Sequence, residues 1–189
     1  SALASDSLYA AQFHCAIKTD GGVACWGEDS YGQVSDAPSS GSFTQLSSGG
    51  YYTCGLKSDG GVSCWGANWD DLVSNAPSSG SFAQLSSGYR HICGLESDGS
   101  VSCWGLDNYG QTTPPSGSFT QLSSGQEHTC GLESDGSVSC WGGSSYINGT
   151  PSTGTFVEIQ ATRNSTCGIL EAGNVICWGS SSNDQLNPP

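Results

Sequence analysis

The sequence predicts an all-β fold made of five repeated units, each holding a hairpin closed by a disulfide. Ten cysteines form five pairs with nine residues between the two members, and Trp-Gly follows every second cysteine. The pairs recur every 39, 39, 37 and 37 residues, a period typical of a β-propeller blade or a β-solenoid turn. Long linkers and tight hairpins favour propeller blades. The pairs are Cys15-Cys25, Cys54-Cys64, Cys93-Cys103, Cys130-Cys140 and Cys167-Cys177.

The spacing within a pair fits a two-stranded hairpin. In the fourth unit, Ser134-Asp135-Gly136 provides a three-residue turn, with glycine at the left-handed position. If Glu133 and Ser137 form a hydrogen-bonded pair, Cys130 and Cys140 face each other on a non-hydrogen-bonded pair. The Cα atoms of such a pair are ~4.5 Å apart, which a disulfide can span. Glycine stands at the same turn position in every unit: Gly21, Gly60, Gly99, Gly136 and Gly173.

A metal site is the weaker interpretation of the cysteines. Zinc sites use short C-x2-C spacings, and redox sites use C-x-x-C, neither of which occurs here. An even number of cysteines in local pairs fits an oxidising, extracytoplasmic compartment. We therefore expect five structural disulfides, no metal and no cofactor, and a secreted or extracellular location.

The repeats predict one domain, residues 1–189. Linkers rich in Pro, Ser and Gly separate the units and indicate turns within it. Five units would close a five-bladed propeller, although an open arc or a fragment of a larger ring is compatible with the same count. The approximate repeats are 1–36, 37–75, 76–113, 114–150 and 151–189.

The charge balance excludes two classes of partner. The chain has 17 Asp and Glu against 4 Lys and Arg, a net charge of -13. Nucleic acids and anionic membranes are bound through basic surfaces, so neither is expected as a partner. No apolar stretch approaches the length of a membrane span. The chain contains no Met, and we interpret Ser1 as a processed N-terminus or a domain boundary.

The consensus of the units resembles a known repeat. It runs G-x-x-H-T-C-G-L-x-S-D-G-S-V-x-C-W-G-x-x-x-x-G-Q and resembles the RCC1-type repeat, with cysteine at two positions that are usually apolar. His91, His128, the turn glycines, the Trp-Gly pairs, Gly32-Gln33 and Gly110-Gln111 carry the resemblance. The cysteine-paired form is similar to the extracellular repeats of plant crinkly4-like receptor kinases and to secreted bacterial repeats. The resemblance implies five RCC1-like blades that bind other molecules through their loops.

The sequence departs from that family in several places. RCC1 itself has seven blades, whereas this chain has five units, and the fifth has Ala172 where the turn Asp stands in the others. Nucleotide exchange on a GTPase and β-lactamase inhibition, both found among RCC1-like propellers, depend on loop residues that the repeat does not specify. Neither activity is carried over.

Loop residues before each first cysteine form one set of candidate binding residues. Exposed aromatic rings beside Arg90 would make a protein-binding hot spot. Packing between neighbouring blades is an equally good interpretation for Tyr51 and Tyr89, and the better one for Phe13. The positions are Gln12-Phe13, Tyr51-Tyr52, Tyr89-Arg90, Gln126-Glu127 and Arg163-Asn164.

A second set of candidates follows each Trp-Gly. Aromatic rings beside Asp and Asn would suit a sugar site, which needs a flat face and polar groups. Recurrence at one register is also what packing between repeats produces, and we favour that interpretation. The residues are Tyr31, Trp69, Tyr109 and Tyr146, with Asn183 in the last unit, and the neighbouring polar groups are Asp29, Asp70, Asp107 and Asn108.

No catalytic motif stands out from the repeats. His14 lies one place later in its unit than His91 and His128, so a histidine metal triad is not expected. One carboxylate per Asp-Gly turn is too few for a calcium site. Asn148 and Asn164 begin N-glycosylation sequons.

The sequence therefore predicts a secreted, non-enzymatic binding module for an extracellular protein or a glycan. The alternative is a self-assembling building block of an extracellular coat, appendage or filament. A lectin with aromatic sugar-stacking sites is a minor alternative.

Overall fold

A computed structural model of the protein describes residues 3–4, 13–180 and 186. Within them, the strands form five antiparallel sheets of three consecutive strands each. A 3-10 helix, Trp69–Asp71, and a short α-helix, α1 (Ser144–Ile147), lie in the connections. The sheets are β1 (Leu3–Ala4), β2 (Phe13–Ile17), β3 (Val23–Gly27); β4 (Phe43–Ser48), β5 (Tyr52–Lys57), β6 (Val62–Gly66); β7 (Phe82–Ser87), β8 (His91–Glu96), β9 (Val101–Gly105); β10 (Phe119–Ser124), β11 (His128–Glu133), β12 (Val138–Gly142); and β13 (Phe156–Ala161), β14 (Ser165–Leu170), β15 (Val175–Gly179).

The predicted disulfide hairpins are confirmed in all five sheets. The backbone N–H of Glu133 donates to the carbonyl oxygen of Ser137 at 2.9 Å, so Cys130 and Cys140 occupy a non-hydrogen-bonded pair. The Cα atoms of the bonded cysteines are 4.0–4.1 Å apart in every unit. The five turn glycines have φ between 83° and 87°, a region that side-chain-bearing residues rarely adopt.

Each sheet has two different faces. One, which we call the trailing face, carries the disulfide and the apolar pair next to it, Leu132 and Val138 in the fourth sheet. The other, the leading face, carries the aromatic residues, Phe156 and Trp178 in the fifth sheet. Trp178 and Phe156 pack against Leu132 and Val138 in one buried cluster. The core therefore lies between consecutive sheets, where it is repeated from blade to blade.

A glutamine side chain also joins consecutive sheets. The Nε2 of Gln121 donates to the carbonyl oxygen of Ile159, and the N–H of Ile159 donates back to Oε1. Gln45 makes the same two bonds to Leu85, and Gln84 makes them to Leu122. All six bonds measure 2.8–3.0 Å. These bonds fix the register between the first strands of consecutive sheets.

The sheets pack in chain order from the first to the fifth. Among the described residues, none of the closely packed strand pairs joins the fifth sheet to the first. In this part of the chain the blades therefore form an arc with two end faces. In the same residues, no helix is long and apolar enough to cross a lipid bilayer.

Candidate binding surface

The two sets of candidate loop residues lie at the same end of the sheets. Tyr52 pairs with Gly66 and His91 pairs with Gly105, so the residues before each first cysteine adjoin those after each Trp-Gly. The hairpin turns lie at the opposite end. We call the end with the candidate residues the loop end.

Main-chain hydrogen bonds connect the loops of successive blades there. The N–H of Gly50 donates to the carbonyl oxygen of Tyr89, the N–H of Tyr89 donates to that of Gln126, and the N–H of Gln126 donates to that of Arg163. The three bonds measure 3.3, 3.2 and 2.9 Å. The loops before the cysteines are thus held in one connected layer, which fixes the positions of the side chains they carry.

Four aromatic rings from three blades meet on this layer. Tyr31 lies 5.5 Å from Tyr51 and 5.1 Å from Trp69 between ring centroids, and Tyr51 lies 5.2 Å from Trp69. Tyr89 follows at 6.3 Å from Tyr51. All four pairs have interplanar angles of 63–72°, the edge-to-face arrangement that aromatic pairs prefer. With Arg90, these rings form what we call the aromatic cluster.

Arg90 gives the cluster a fixed positive charge. Its guanidinium lies over the ring of Trp69, 5.2 Å from the centroid. It also forms an ion pair with Asp70 at 2.7 Å, and both side chains are about two-thirds buried. Two partners therefore hold Arg90 in place, in a chain that has only 4 Lys and Arg.

The loop of the second unit is built to present Trp69. The Oδ1 of Asn68 accepts hydrogen bonds from the N–H of Val73 and of Ser74 at 2.8 and 2.9 Å. Asp70 and Asp71 have φ of 55° and 54°, a left-handed conformation that is strained for residues other than glycine. The buried Leu72 anchors the loop in the core of the second and third blades.

In the first unit, Asp29 holds the loop that carries Tyr31. Its Oδ1 accepts from the N–H of Val34 and of Ser35 at 2.7 and 2.9 Å, and these bonds hold the pKa of Asp29 below its ordinary value. The N–H of Tyr31 donates to Oε1 of the buried Gln33 at 2.8 Å.

The third unit repeats this arrangement. Asp107 accepts from the N–H of Thr112, and Gln111 accepts from the N–H of Tyr109, both at 2.8 Å. Hydrogen bonds with Thr112 and Thr113 outweigh the opposing effect of burial and lower the pKa of Asp107. Asp29 and Asp107, two of the three carboxylates considered for a sugar site, thus serve their own loops.

The remaining candidates of the second set are arranged differently from one another. Tyr109 is 56% exposed. Tyr146, on α1, stacks on His128 with centroids 5.8 Å apart, and burial together with the nearby Glu127 raises its pKa. Asn183, like Gln12 of the first set, lies outside the described residues.

The register that includes Tyr52 is buried between blades. Tyr52 is 2% exposed, and its hydroxyl donates to the carbonyl oxygen of His91 at 2.6 Å. His91 hydrogen-bonds Thr129 and His128 hydrogen-bonds Thr166 through Nε2, at 2.9 and 3.0 Å. Burial lowers the pKa of His91 to about 3 and that of His128 to about 4. Tyr52 and the equally buried Phe13 therefore support the blades from inside and do not belong to the exposed surface.

The bridging glutamines were not predicted from the sequence. The signal that could have found them is the recurrence of Phe-x-Gln-Leu in the second, third and fourth units, beginning at Phe43, Phe82 and Phe119. The motif was visible, but its partner is a main-chain group of the next repeat, which no sequence pattern marks.

Both sequons lie at the loop end of the fifth sheet. The carbonyl oxygens of Asn148 and Asn164 accept from the N–H of Gly179 and of Ser180, each at 2.9 Å. Asn148 is exposed, whereas Asn164 is half-buried, and its Oδ1 is buried without a hydrogen-bond partner. Glycosylation stays a prediction, with Asn148 as the more accessible site. Within residues 13–180, no three His, Cys, Asp or Glu side chains come together as metal ligands.

These features define a β-propeller whose blades are each closed by a disulfide. Four segments of the chain match the Regulator of chromosome condensation (RCC1) repeat, and together they make up more than half of its residues. The segments are 11–33, 43–68, 82–111 and 119–147. The chain belongs to this repeat family. No curated protein sequence matches the chain significantly.

Solved structures show the same fold. The ectodomain of the Physcomitrella patens receptor kinase CR4 is 28% identical, with a TM-score of 0.76 over 88% of this chain and 50% of that one. The CRINKLY WD40 ectodomain of the Arabidopsis thaliana receptor kinase ACR4 is 25% identical, with a TM-score of 0.69 over 89% of this chain and 65% of that one. This chain thus spans half to about two-thirds of the length of those ectodomains.

Yeast RCC1 (Prp20), solved bound to Kap60, shares the fold at lower identity. It is 15% identical, with a TM-score of 0.72 over 89% of this chain and 54% of that one. The predicted propeller of five RCC1-like blades and the resemblance to crinkly4-like ectodomains are confirmed.

Proposed function

We propose that this chain is an extracellular, non-enzymatic binding module that recognises a protein partner through the aromatic cluster. The observation that carries the proposal is the meeting of Tyr31, Tyr51, Trp69, Tyr89 and Arg90 on one rigid layer. Tyr, Trp and Arg are the residues most enriched at binding hot spots. Because their rings are already packed together, little conformational entropy would be lost on binding.

The location outside the cytoplasm is supported by two features. Five structural disulfides persist only in an oxidising compartment in most organisms. The similar plant chains are receptor kinase ectodomains. Both features fit a module that meets its partner outside the cell.

The packing of the cluster favours a protein over a glycan. A sugar ring stacks on a free, flat aromatic face. One face of Trp69 is covered by Arg90, and Tyr31 and Tyr51 pack against the ring at 71° and 65°. The cluster therefore offers ring edges, tyrosine hydroxyls and a guanidinium already paired with Asp70, a mixed polar and apolar surface of the kind that protein interfaces use.

A matched pair of tyrosine variants tests the proposal. Tyr31 and Tyr109 stand in the same register and are similarly exposed, at 46% and 56%, but the cluster contains only Tyr31. With a partner captured by photo-crosslinking in native extracellular material, Tyr31→Ser is expected to weaken binding by about tenfold or more. Tyr109→Ser serves as the control and should bind as the wild type does. Equal affinities for all three chains would reject the cluster as the binding surface.

A glycan site remains a second candidate at one place. Tyr109 is the most exposed tyrosine of the described chain, and Asn108 beside it is also exposed. A flat ring next to an amide has the chemistry of a weak sugar site. On a glycan array, this site predicts a signal that Tyr109→Ser abolishes and Tyr31→Ser leaves intact. An array without signal would remove this candidate and leave the protein-binding proposal unaffected.

A further inference from the structure

The interface between consecutive blades has the same construction throughout the arc. A tryptophan of each later blade covers the trailing face of the blade before it, and the four that do so are 2–8% exposed. The apolar pair that Trp178 covers, Leu132 and Val138, is 6% and 8% exposed. The four tryptophans are Trp65, Trp104, Trp141 and Trp178.

The trailing face of the fifth blade lacks such a cover among the described residues. Ile169 and Val175 occupy the places of Leu132 and Val138, and they face each other across the hairpin as that pair does. They are 36% and 43% exposed. The fifth blade thus has an apolar pair at the same positions as an interior blade, but here the pair is exposed to solvent.

The leading face of the first blade is uncovered in a complementary way. Trp26 stands in the register of the four buried tryptophans, yet it is 48% exposed. His14 beside it is also exposed, with ring centroids 5.8 Å apart. Thus one end of the arc carries the tryptophan of a blade interface, and the other end carries the apolar pair that such a tryptophan covers.

We propose that these end faces bind each other between two copies of the chain, the first blade of one copy packing on the fifth blade of the next. The contact would continue an interface that the protein already makes four times, with Trp26 over Ile169 and Val175. Because the two faces differ, the association is head-to-tail, and it extends into an open chain of molecules unless its rotation closes a ring. This inference is independent of the proposed binding function.

One residue sets this interface apart from the interior ones. Glu158 stands where the interior blades have a bridging glutamine, since Glu158 pairs with Ile169 as Gln121 pairs with Leu132. Its carboxylate can accept from an N–H of the next blade but cannot donate to the carbonyl oxygen. The group it would face is the main chain of Leu3, which pairs with Ala16 as Leu46 pairs with Gly55. The contact between copies is therefore expected to be weaker than a contact between blades, and reversible.

Two variants and their mixture test the arrangement. Trp26→Ser disables the first-blade face and Val175→Asp disables the fifth-blade face, each in the full disulfide-bonded chain. The wild type should show a mass that rises with concentration in sedimentation and light scattering, and each variant alone should associate about 30-fold or more weakly. An equimolar mixture of the variants retains one intact pair of faces and should form dimers that grow no further.

A control variant, a stability measurement and a variant expected to strengthen the contact accompany these two variants. Ala83→Asp adds the same charge as Val175→Asp at an exposed position of the third blade, outside both faces, and should assemble as the wild type does. Thermal unfolding of each variant reports whether its fold is intact, as expected for changes at exposed positions. Glu158→Gln restores the interior residue and should tighten association. The proposal is overturned if the wild type stays monomeric at all concentrations, which is the result expected if the chain closes on itself or needs blades of another polypeptide. It is also overturned if the mixture of the two variants forms no dimer.

Discussion

Single side chains join the blades of this protein by bonding to main-chain groups of the neighbour. Gln84 both donates to and accepts from the backbone of Leu122, and neither bond depends on which side chain stands in the next blade. Repeats can therefore diverge in their loops without losing register. The hydrogen bonds of the tryptophan indoles are less regular, because among the described residues the buried Nε1 atoms of Trp104 and Trp178 have no partner. Those of Trp65 and Trp141 donate to the carbonyl oxygens of Gln33 and Gln111, both at 3.1 Å.

Replacement of a bridging glutamine should destabilise the fold. In Gln84→Ala, the N–H and carbonyl groups of Leu122 lose their partners inside the interface, and we expect the free energy of unfolding to fall by about 1–3 kcal/mol. Urea unfolding followed by tryptophan fluorescence measures the change. Gln160→Ala is the control, because Gln160 is exposed and, among the described residues, its side chain bonds only the carbonyl oxygen of its neighbour Ala161. Equal losses in the two variants would contradict the bridging role.

The buried histidines should make the protein less stable in acid. Burial keeps the pKa of His91 at about 3 and that of His128 at about 4, whereas both take up a proton near 6.5 in the unfolded chain. Between those values the unfolded state binds more protons, so the free energy of unfolding should fall as the pH drops from about 6.5 to about 4, by at most ~1.4 kcal/mol per pH unit for each ring.

The double variant His91→Gln, His128→Gln isolates this effect. Its unfolding free energy, measured in urea from pH 7 to pH 4, should depend on pH less steeply than that of the wild type. An unchanged slope in the double variant would show that other groups control the acid sensitivity.

At the scale of the element, the hairpin and its disulfide form the conserved unit of construction in every blade. The turn needs only glycine with φ near 85° and a following strand, so all five hairpins share one geometry despite different loops. The loops after Trp-Gly differ, because the second unit closes its loop with Asn68 where the first uses Asp29. The loops at the loop end thus differ between units, whereas the hairpins keep one geometry.

The disulfide of the fifth blade should be reduced first. Cys167 is only half-buried, whereas the first cysteine of every other blade is 0–1% exposed. Under increasing reductant, alkylation and mass spectrometry should label Cys167 and Cys177 before the other pairs, because reduction requires access to sulfur. Simultaneous labelling of all ten cysteines would instead indicate that reduction follows global unfolding.

Full reduction should unfold the protein. Each ten-residue loop contributes about 2.5–3 kcal/mol in the chain-entropy description, and the aliphatic core between blades is thin. The near-ultraviolet circular dichroism of the tryptophans would report the loss of packing. A reduced chain with ten free thiols and an unchanged spectrum would contradict this dependence on the disulfides.

At the scale of the whole molecule, the blades of the arc differ in how many of their faces are packed against a neighbouring blade. The second, third and fourth blades are packed on both faces, whereas the first and fifth are packed on one among the described residues. In stacked repeats, stability comes largely from contacts with nearest neighbours. The end blades should therefore open more often than the central ones.

Hydrogen exchange can detect this gradient. In dilute protein, amides of the central hairpins β5–β6, β8–β9 and β11–β12 should exchange more slowly than those of β2–β3 and β14–β15, since local opening is less costly at the ends. Mass spectrometry after peptic digestion resolves the hairpins. Uniform protection of all five would indicate a closed ring or a stable assembly.

Part of the candidate surface followed from the sequence and part did not. Tyr31, Tyr51, Trp69, Tyr89 and Arg90 were all candidates, because each stands at a recurring loop position. That they form one cluster while Tyr109 and Tyr146 stay apart depends on the distance between blades and on the unusual loop at Asp70. Tyr51 and Tyr52 could not be distinguished by residue type, and only the packing of the blades shows that Tyr52, the first residue of β5, is buried while Tyr51 stays partly accessible.

Local sequence patterns were enough to predict the strands, the hairpins, the five disulfides and the repeat family, since these depend on spacing and on cross-strand geometry within about ten residues. The contacts between repeats could be seen only in the tertiary structure: the glutamine bridges, the buried histidines and the aromatic cluster. The two uncovered end faces also became visible only there. The glutamine bridges and the histidine hydrogen bonds join residues 38–40 positions apart, and the ring contacts of the aromatic cluster join residues 18–38 positions apart. Their formation depends on how one sheet stacks on the next, a relation that no local pattern encodes.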